Sequence, residues 1–223
     1  MTNSFGRKLV IGPTDRTSEQ RTPESALFLI PEAARESFVP YVTTIPIPRV
    51  GENDLTRIAP GRPLAEGERI EVSGRLLDER GRPIRHALVE IWNANKWGRY
   101  THQDDPAVQP LDPNFLGVGR TLTDSEGNYR FYTIEPGAYL ARPDIGRWRP
   151  KHIHFSILGR SARLVTQMYF PGDQYLEKDP SFFLLGDAQQ RHIGIATSSN
   201  VDGFSGGYRF DIVVGGRNAT FFE

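Results

Sequence analysis

The stretch Arg69-Ile-Glu-Val-Ser-Gly-Arg-Leu-Leu77, followed by Asp78-Glu-Arg-Gly-Arg-Pro83 and then by Ala87-Leu-Val-Glu-Ile-Trp92, sets the fold class. Its first part alternates apolar with polar residues, the pattern of a half-buried strand whose successive side chains point to opposite faces. The middle part is a turn, with glycine and proline where an extended chain reverses. Its last part is a second strand, so the reading predicts a hairpin. The same grammar recurs in Thr121-Leu-Thr-Asp124, the turn Ser125-Glu-Gly-Asn128 and the strand Tyr129-Arg-Phe-Tyr-Thr-Ile134. Further strands are predicted at His152-Ile-His-Phe-Ser-Ile157, Leu164-Val-Thr-Gln-Met-Tyr-Phe170 and Tyr208-Arg-Phe-Asp-Ile-Val-Val214, all rich in β-branched and aromatic residues. Gly215-Gly216 reads as a turn. Short strands with this punctuation predict an all-β chain folded as an antiparallel β-sandwich.

Upstream of residue 66 the pattern changes. Residues 1–21 are polar and patternless, and Thr22-Pro23-Glu24 offers an N-cap, a proline and an acid to a short helix over 24–30. Pro31, Pro40, Pro46, Pro48, Pro60 and Pro63 then interrupt a run carrying Phe38, Val39, Val42, Ile45 and Ile47. No isolated segment buries such residues, so 1–65 is predicted to be an arm lying on the sandwich domain of 66–223 or on another chain.

Composition narrows the function. The 27 basic and 27 acidic residues of the 223-residue chain cancel, and no long basic run offers a grip on nucleic acid or an anionic membrane. Cysteine is absent, which excludes disulfides, thiolate metal sites and cysteine nucleophiles; any metal takes nitrogen and oxygen ligands. No apolar run approaches the ~20 residues that span a bilayer, and no signal-type stretch follows Lys8, so a soluble cytoplasmic protein is expected. Neither a phosphate-binding glycine loop nor a Gly-x-Ser-x-Gly elbow is present.

The sharpest chemical feature is His152-Ile153-His154. Residues two apart on a strand share a face, so both imidazoles reach one point in space. Two readings stand: a metal site, or two half-buried histidines bonded to backbone or water. His86, His102 and His192 supply no third ligand by spacing. Tyr100 and Tyr139 lie in loops, where functional tyrosines concentrate, although packing or interface roles are also open to them. Arg149, in Trp148-Arg-Pro150, adds a cation beside the histidines.

From Trp92 to Phe170 the chain resembles the intradiol ring-cleavage dioxygenases, and among them the iron-bearing β subunits of the protocatechuate 3,4-dioxygenase type. The motifs that carry the likeness are Val89-Glu-Ile-Trp-Asn-Ala-Asn95, Gly98-Arg-Tyr100, Leu111-Asp-Pro-Asn-Phe115, Gly119-Arg-Thr-Leu-Thr-Asp124, Trp148-Arg-Pro-Lys-His-Ile-His-Phe155, Thr166-Gln-Met-Tyr-Phe170 and the end Tyr208-Arg-Phe-Asp-Ile-Val213. The resemblance extends over 66–223 and implies a mononuclear non-haem Fe³⁺ held by Tyr100, Tyr139, His152 and His154, with hydroxide as a fifth ligand. Tyr100 and His152 match the equatorial positions, Tyr139 and His154 the axial ones. Two phenolates and a hydroxide cancel the triple charge, so the buried site carries no net charge. The substrate implied is a catechol, protocatechuate first, opened between its hydroxyl-bearing carbons by O2 to 3-carboxy-cis,cis-muconate. Tyr139 leaves the iron as a base in that scheme. Arg149 matches a catalytic residue that stabilises charge on the ring, and Gln167, Trp92 and Tyr169 match pocket positions.

The resemblance also implies a homologous α subunit in a hetero-oligomer. Two positions depart from the pattern: Ala141 stands where a tryptophan is usual, and no tyrosine precedes Tyr41. These bear on the ring's 4-substituent, and a sulfocatechol or hydroxyquinol is the alternative substrate. Other readings are an iron-free structural or binding sandwich, and a zinc or ferrous protein in which the tyrosines are incidental.

Overall fold

In the computed structural model the described residues are 47–221, apart from 103–104, 106, 160–162, 184–187 and 217. The helix predicted over 24–30 and most of the predicted arm lie outside them. In chain order the strands are β1 (Arg69–Asp78), β2 (Leu88–Trp92), β3 (Val118–Leu122), β4 (Asn128–Ile134), β5 (Tyr139–Arg142), β6 (Arg147–Arg149), β7 (His152–Leu158), β8 (Arg163–Tyr169), β9 (Thr197–Ser199), β10 (Gly206–Arg209) and β11 (Ile212–Val214). Two short helices, α1 (Pro180–Phe183) and α2 (Ala188–Ile193), fall between β8 and β9. No helix among the described residues is long and apolar enough to cross a membrane.

β1 shows the alternation expected of it: Ile70, Val72, Gly74 and Leu76 are buried, and the residues between them are partly exposed. Along one edge it pairs antiparallel with β4, from Arg69 opposite Ile134 to Arg75 opposite Asn128. On its other edge it pairs with β10 and then β11, with β9 beyond β10. The second sheet runs β3-β2-β7-β8, antiparallel throughout, and β5 and β6 form a separate hairpin. Between the two sheets lies one core, with Ile70, Val72, Leu76, Phe131 and Phe210 facing Val89, Ile91, Ile153, Phe155 and Ile157. The β-sandwich expectation holds.

Three details differ from the sequence reading. β1 and β2 do not form a hairpin, because they belong to different sheets; β3 and β4 are split in the same way. Each turn carries the chain across the ~10 Å between stacked sheets. Alternation tells which residues face the core, but not from which side they face it. The strand predicted over 208–214 is broken at Phe210-Asp211, and both halves run parallel to β1. β1 spans the break: the Phe210 N–H donates to the Ser73 carbonyl at 2.8 Å, and the Arg75 N–H donates to Asp211 Oδ1 at 2.9 Å. Such parallel pairing needs a long crossover, supplied here by everything between β1 and β10.

Part of the predicted arm joins the core. Leu55 is fully buried within it, and its N–H donates to the Tyr132 carbonyl at 2.8 Å. Glu52 accepts from the Arg120 Nε–H at 2.6 Å and so ties the same segment to β3.

The Tyr129 hydroxyl, buried under β1, donates to the Phe210 carbonyl at the β10–β11 break. Tyr129→Phe leaves that carbonyl without this donor at a cost of about 1–3 kcal/mol. The expected result is a lower denaturant midpoint with an unchanged slope.

Candidate active site

β7 is buried on both faces. Ile153, Phe155 and Ile157 enter the core, so His152, His154 and Ser156 necessarily point the other way. Pairing then builds rows on that outer face. Trp92 and Gln167 stand opposite His154, and Tyr169 stands opposite His152. The Trp92 and His154 rings stack 4.8 Å apart and 2° from parallel. Tyr169 is fully buried, its ring 6.2 Å from that of His152 and edge-on to Phe182.

Tyr100 comes from a loop held over this face, whereas Tyr139, expected in a loop, is the first residue of β5 and pairs with Arg149 of β6. Asn95 folds the Tyr100 loop, its Oδ1 accepting from the Trp97 and Arg99 N–H groups at 3.0 and 3.1 Å. The Tyr100 N–H donates to Asp105 Oδ2 at 2.7 Å. Gly98 adopts φ +82°, and a Cβ there would lie 2.7 Å from the Ala138 carbonyl oxygen and 2.8 Å from Tyr139 Cβ. Its missing side chain lets the Tyr100 loop touch the start of β5, with the two tyrosine rings edge to face at 5.7 Å.

Four donors converge as a result. The Tyr100 hydroxyl lies 3.1 Å from His152 Nε2 and 3.2 Å from His154 Nε2. Tyr139 lies across from both Tyr100 and His152, with ring centroids 5.7 Å from each. The His152 Nδ1 is 2.7 Å from the Pro150 carbonyl. A carbonyl only accepts, so Nδ1 carries the proton and the lone pair of Nε2 faces the site, the arrangement that orients metal-binding imidazoles. Burial, then Arg149 and His154, push the His152 pKa well below the usual imidazole value, which keeps the ring neutral. Burial pushes the Tyr139 hydroxyl up, against the opposing effects of Arg149 and Tyr100. Among the described residues no three His, Asp or Glu side chains gather to hold a metal, so a metal site on this face needs the tyrosines.

Around the donors lies a layer that sequence reasoning missed in part. The Arg149 Nε–H donates to Asp179 Oδ2 at 3.0 Å, and an Nη2–H donates to Gln167 Oε1. Glu135, between β4 and β5, accepts from Lys151 Nζ at 2.6 Å and from the Tyr208 hydroxyl at 3.1 Å. The Lys151 N–H donates to Asp173 Oδ2 at 2.9 Å. Asp179-Pro180 is readable as a helix cap, but nothing local marks it as the partner of Arg149. A cavity of about 350 Å³ beside Trp148 is lined by Ile145, Arg147, Tyr175 and Lys178 and contains none of the four donors.

Residues 45–216 match the family described as dioxygenase, Dioxygenase_C. The chain is 45% identical over 219 residues to the protocatechuate 3,4-dioxygenase beta chain of Burkholderia cepacia, covering 96% of this chain and 92% of that one. This chain belongs to the intradiol dioxygenases. Like the rest of that family it is an oxidoreductase. To the protocatechuate 3,4-dioxygenase alpha chain of Pseudomonas putida it is 31% identical over 87% of its length and 96% of the relative's. It spans about half of the chlorocatechol 1,2-dioxygenase of Rhodococcus opacus, at 34% identity and 48% coverage of that protein. The solved hydroxyquinol 1,2-dioxygenase of Pseudomonas putida DLL-E4 shares the fold at TM-score 0.57 and 21% identity, covering 89% of this chain and 70% of that one.

In this intradiol dioxygenase Gly98→Ala forces the Tyr100 loop away from the start of β5. Overpacking of this kind costs about 1–3 kcal/mol. The expected outcome is a lowered melting temperature together with a changed near-ultraviolet tyrosine signal, measured by circular dichroism.

Proposed function

We propose that this chain is the iron-bearing subunit of an enzyme that uses O2 to cleave protocatechuate between its two hydroxyl-bearing carbons, giving 3-carboxy-cis,cis-muconate. The observation that carries the reading is the 45% identity to a protocatechuate 3,4-dioxygenase beta chain along 92% of that relative's length. Both oxygen atoms enter the product, so the reaction needs no external reductant.

The donor set fits a ferric ion. Two phenol oxygens and two imidazole nitrogens are hard-to-intermediate ligands, and phenolates favour the ferric state. Oxygen and nitrogen atoms 3.1 and 3.2 Å apart have the spacing of neighbouring ligands each ~2.1 Å from one ion. Tyr100, Tyr139, His152 and His154 are the residues that would hold it. When bound, ferric iron supplies a Lewis acid that chelates the catechol oxygens and draws electron density from the ring. The chain's own groups do the rest. Tyr139, ionised to phenolate where it would hold the metal, would take a substrate hydroxyl proton at Oη. The Arg149 guanidinium faces the charge that grows on the ring, while Gln167 fixes its orientation. The stacked Trp92 keeps the His154 ring from turning.

Likeness to both the beta and the alpha chain supports a pairing of this subunit with a homologous partner. A catechol with another 4-substituent is the second reading, favoured by Ala141, which occupies the bulge between Leu140 and Arg142 in the β5–β6 hairpin. Relative turnover of protocatechuate, 4-sulfocatechol and hydroxyquinol separates the two readings.

Purified from iron-sufficient cells, the enzyme is expected to be red-brown from tyrosinate-to-iron charge transfer and to lose colour and turnover together on chelation. A colourless, zinc-loaded protein with full activity would refute the iron assignment. The product of protocatechuate is expected to be the carboxymuconate rather than a yellow aldehyde-bearing compound, as read by absorbance and mass spectrometry. Arg149→Ala is expected to lower kcat by about 10²–10³-fold with a much smaller change in KM, since its charge acts on the transition state.

A further inference from the structure

Two aspartates in the segment after β8 share one construction. Asp173 accepts from the Tyr175 N–H with Oδ1, at 2.8 Å, and from the Lys151 N–H with Oδ2. Asp179 accepts from the Ser181 N–H with Oδ1, at 3.1 Å, and from the Arg149 Nε–H with Oδ2. In each case one oxygen holds the segment's own backbone two residues ahead, and the other reaches the stretch that leads into His152. Asp173 grips main chain. Asp179 grips the guanidinium.

The second grip is the unusual one. The Asp179 side chain is 0% exposed and that of Arg149 is 11% exposed, so the ion pair is almost dry. Burying such a pair adds little to stability compared with apolar packing of the same volume. Its geometry constrains the arginine instead. Nε is committed to Asp179 and Nη2 to Gln167, which fixes the guanidinium plane on two sides. Asp179 is itself immobilised. It ends the 3-10 turn Leu176–Lys178, its N–H donating to the Leu176 carbonyl at 3.2 Å, and it leads into α1, whose Phe182 packs edge-on against Tyr169.

We propose that Asp179 is a positioning residue for catalysis: it holds the Arg149 guanidinium in the plane and place from which it meets the charge developing on the substrate ring. The proposal rests on the functional reading above, in which Arg149 meets that charge. Asp179 touches no substrate and acts only through the arginine. The segment 173–182 is therefore the back wall of the site, and its register decides where the cation sits.

The test is a double-mutant cycle on the iron-loaded enzyme, using Asp179→Asn, Arg149→Ala and the two combined. Asp179→Asn keeps shape but removes the charge and one acceptor. The expected result is a kcat lower by about 10–100-fold, as for other residues that orient a reacting group. KM should change less than about threefold, and the charge-transfer band should be retained, since the donors are untouched. In the double variant kcat should match Arg149→Ala within about threefold, because a residue that acts through another has nothing left to position. Losses that multiply in the double variant would overturn the proposal, as would a single Asp179→Asn variant with wild-type kcat. Should Asp179→Asn alone fail to fold, the comparison of Arg149→Ala with the double variant decides, since neither leaves the Asp179 carboxylate and the guanidinium facing each other. A wild-type enzyme inactive on every catechol overturns the functional reading and the proposal together. Activity in the wild type with multiplied losses overturns the proposal alone.

Discussion

A strand buried on both faces is the constraint from which the site follows. β7 sits second from the edge of its sheet, so its inward side chains fill the sandwich core while its outward ones are covered by loops. Buried polar groups must be satisfied. On the outer face imidazoles meet phenols, an arginine meets an aspartate and a glutamine, and an imidazole N–H meets the Pro150 carbonyl. The core on one side sets the register. Register in turn aligns Trp92, His154 and Gln167 in one row. A shift of one residue would exchange the two faces and scatter both core and site.

The supporting layer obeys a charge rule. Arg149 is nearly buried, and burial lowers its pKa, but Tyr139, Tyr169, Asp179 and Tyr100 outweigh that effect and the net direction is upward. The guanidinium thus stays a cation next to a His152 ring whose charged form is disfavoured. The site keeps one buried positive charge, and the buried Asp179 carboxylate compensates it.

Legibility in the sequence tracked the range of the interaction. Alternation in Arg69 to Leu77 and in His152 to Ile157 was readable, because facing is a property of one strand. The spacing His-x-His placed two imidazoles on one face for the same reason. Which strand neighbours which was not readable: the turns at 78–87 and 123–127 look alike whether a chain folds back beside itself or crosses to the opposite sheet. The sequence ties the tyrosines to the histidines only through resemblance, since their approach depends on Gly98 meeting Ala138 and Tyr139 at the start of β5. Asp179 stayed hidden because its local role as a cap explains it fully until the fold brings Arg149 alongside.

The parallel pairing of β1 also bears on how the chain is made. β4 follows β1 closely enough to pair early, but the other edge of β1 waits for residues 206–214, far later in the sequence. Until they emerge, a long row of backbone donors and acceptors in the middle of the future sheet stays open. Contacts this far apart in sequence are slow to form, and open edges invite pairing with other chains. The last strands therefore act as a seal on the folding domain.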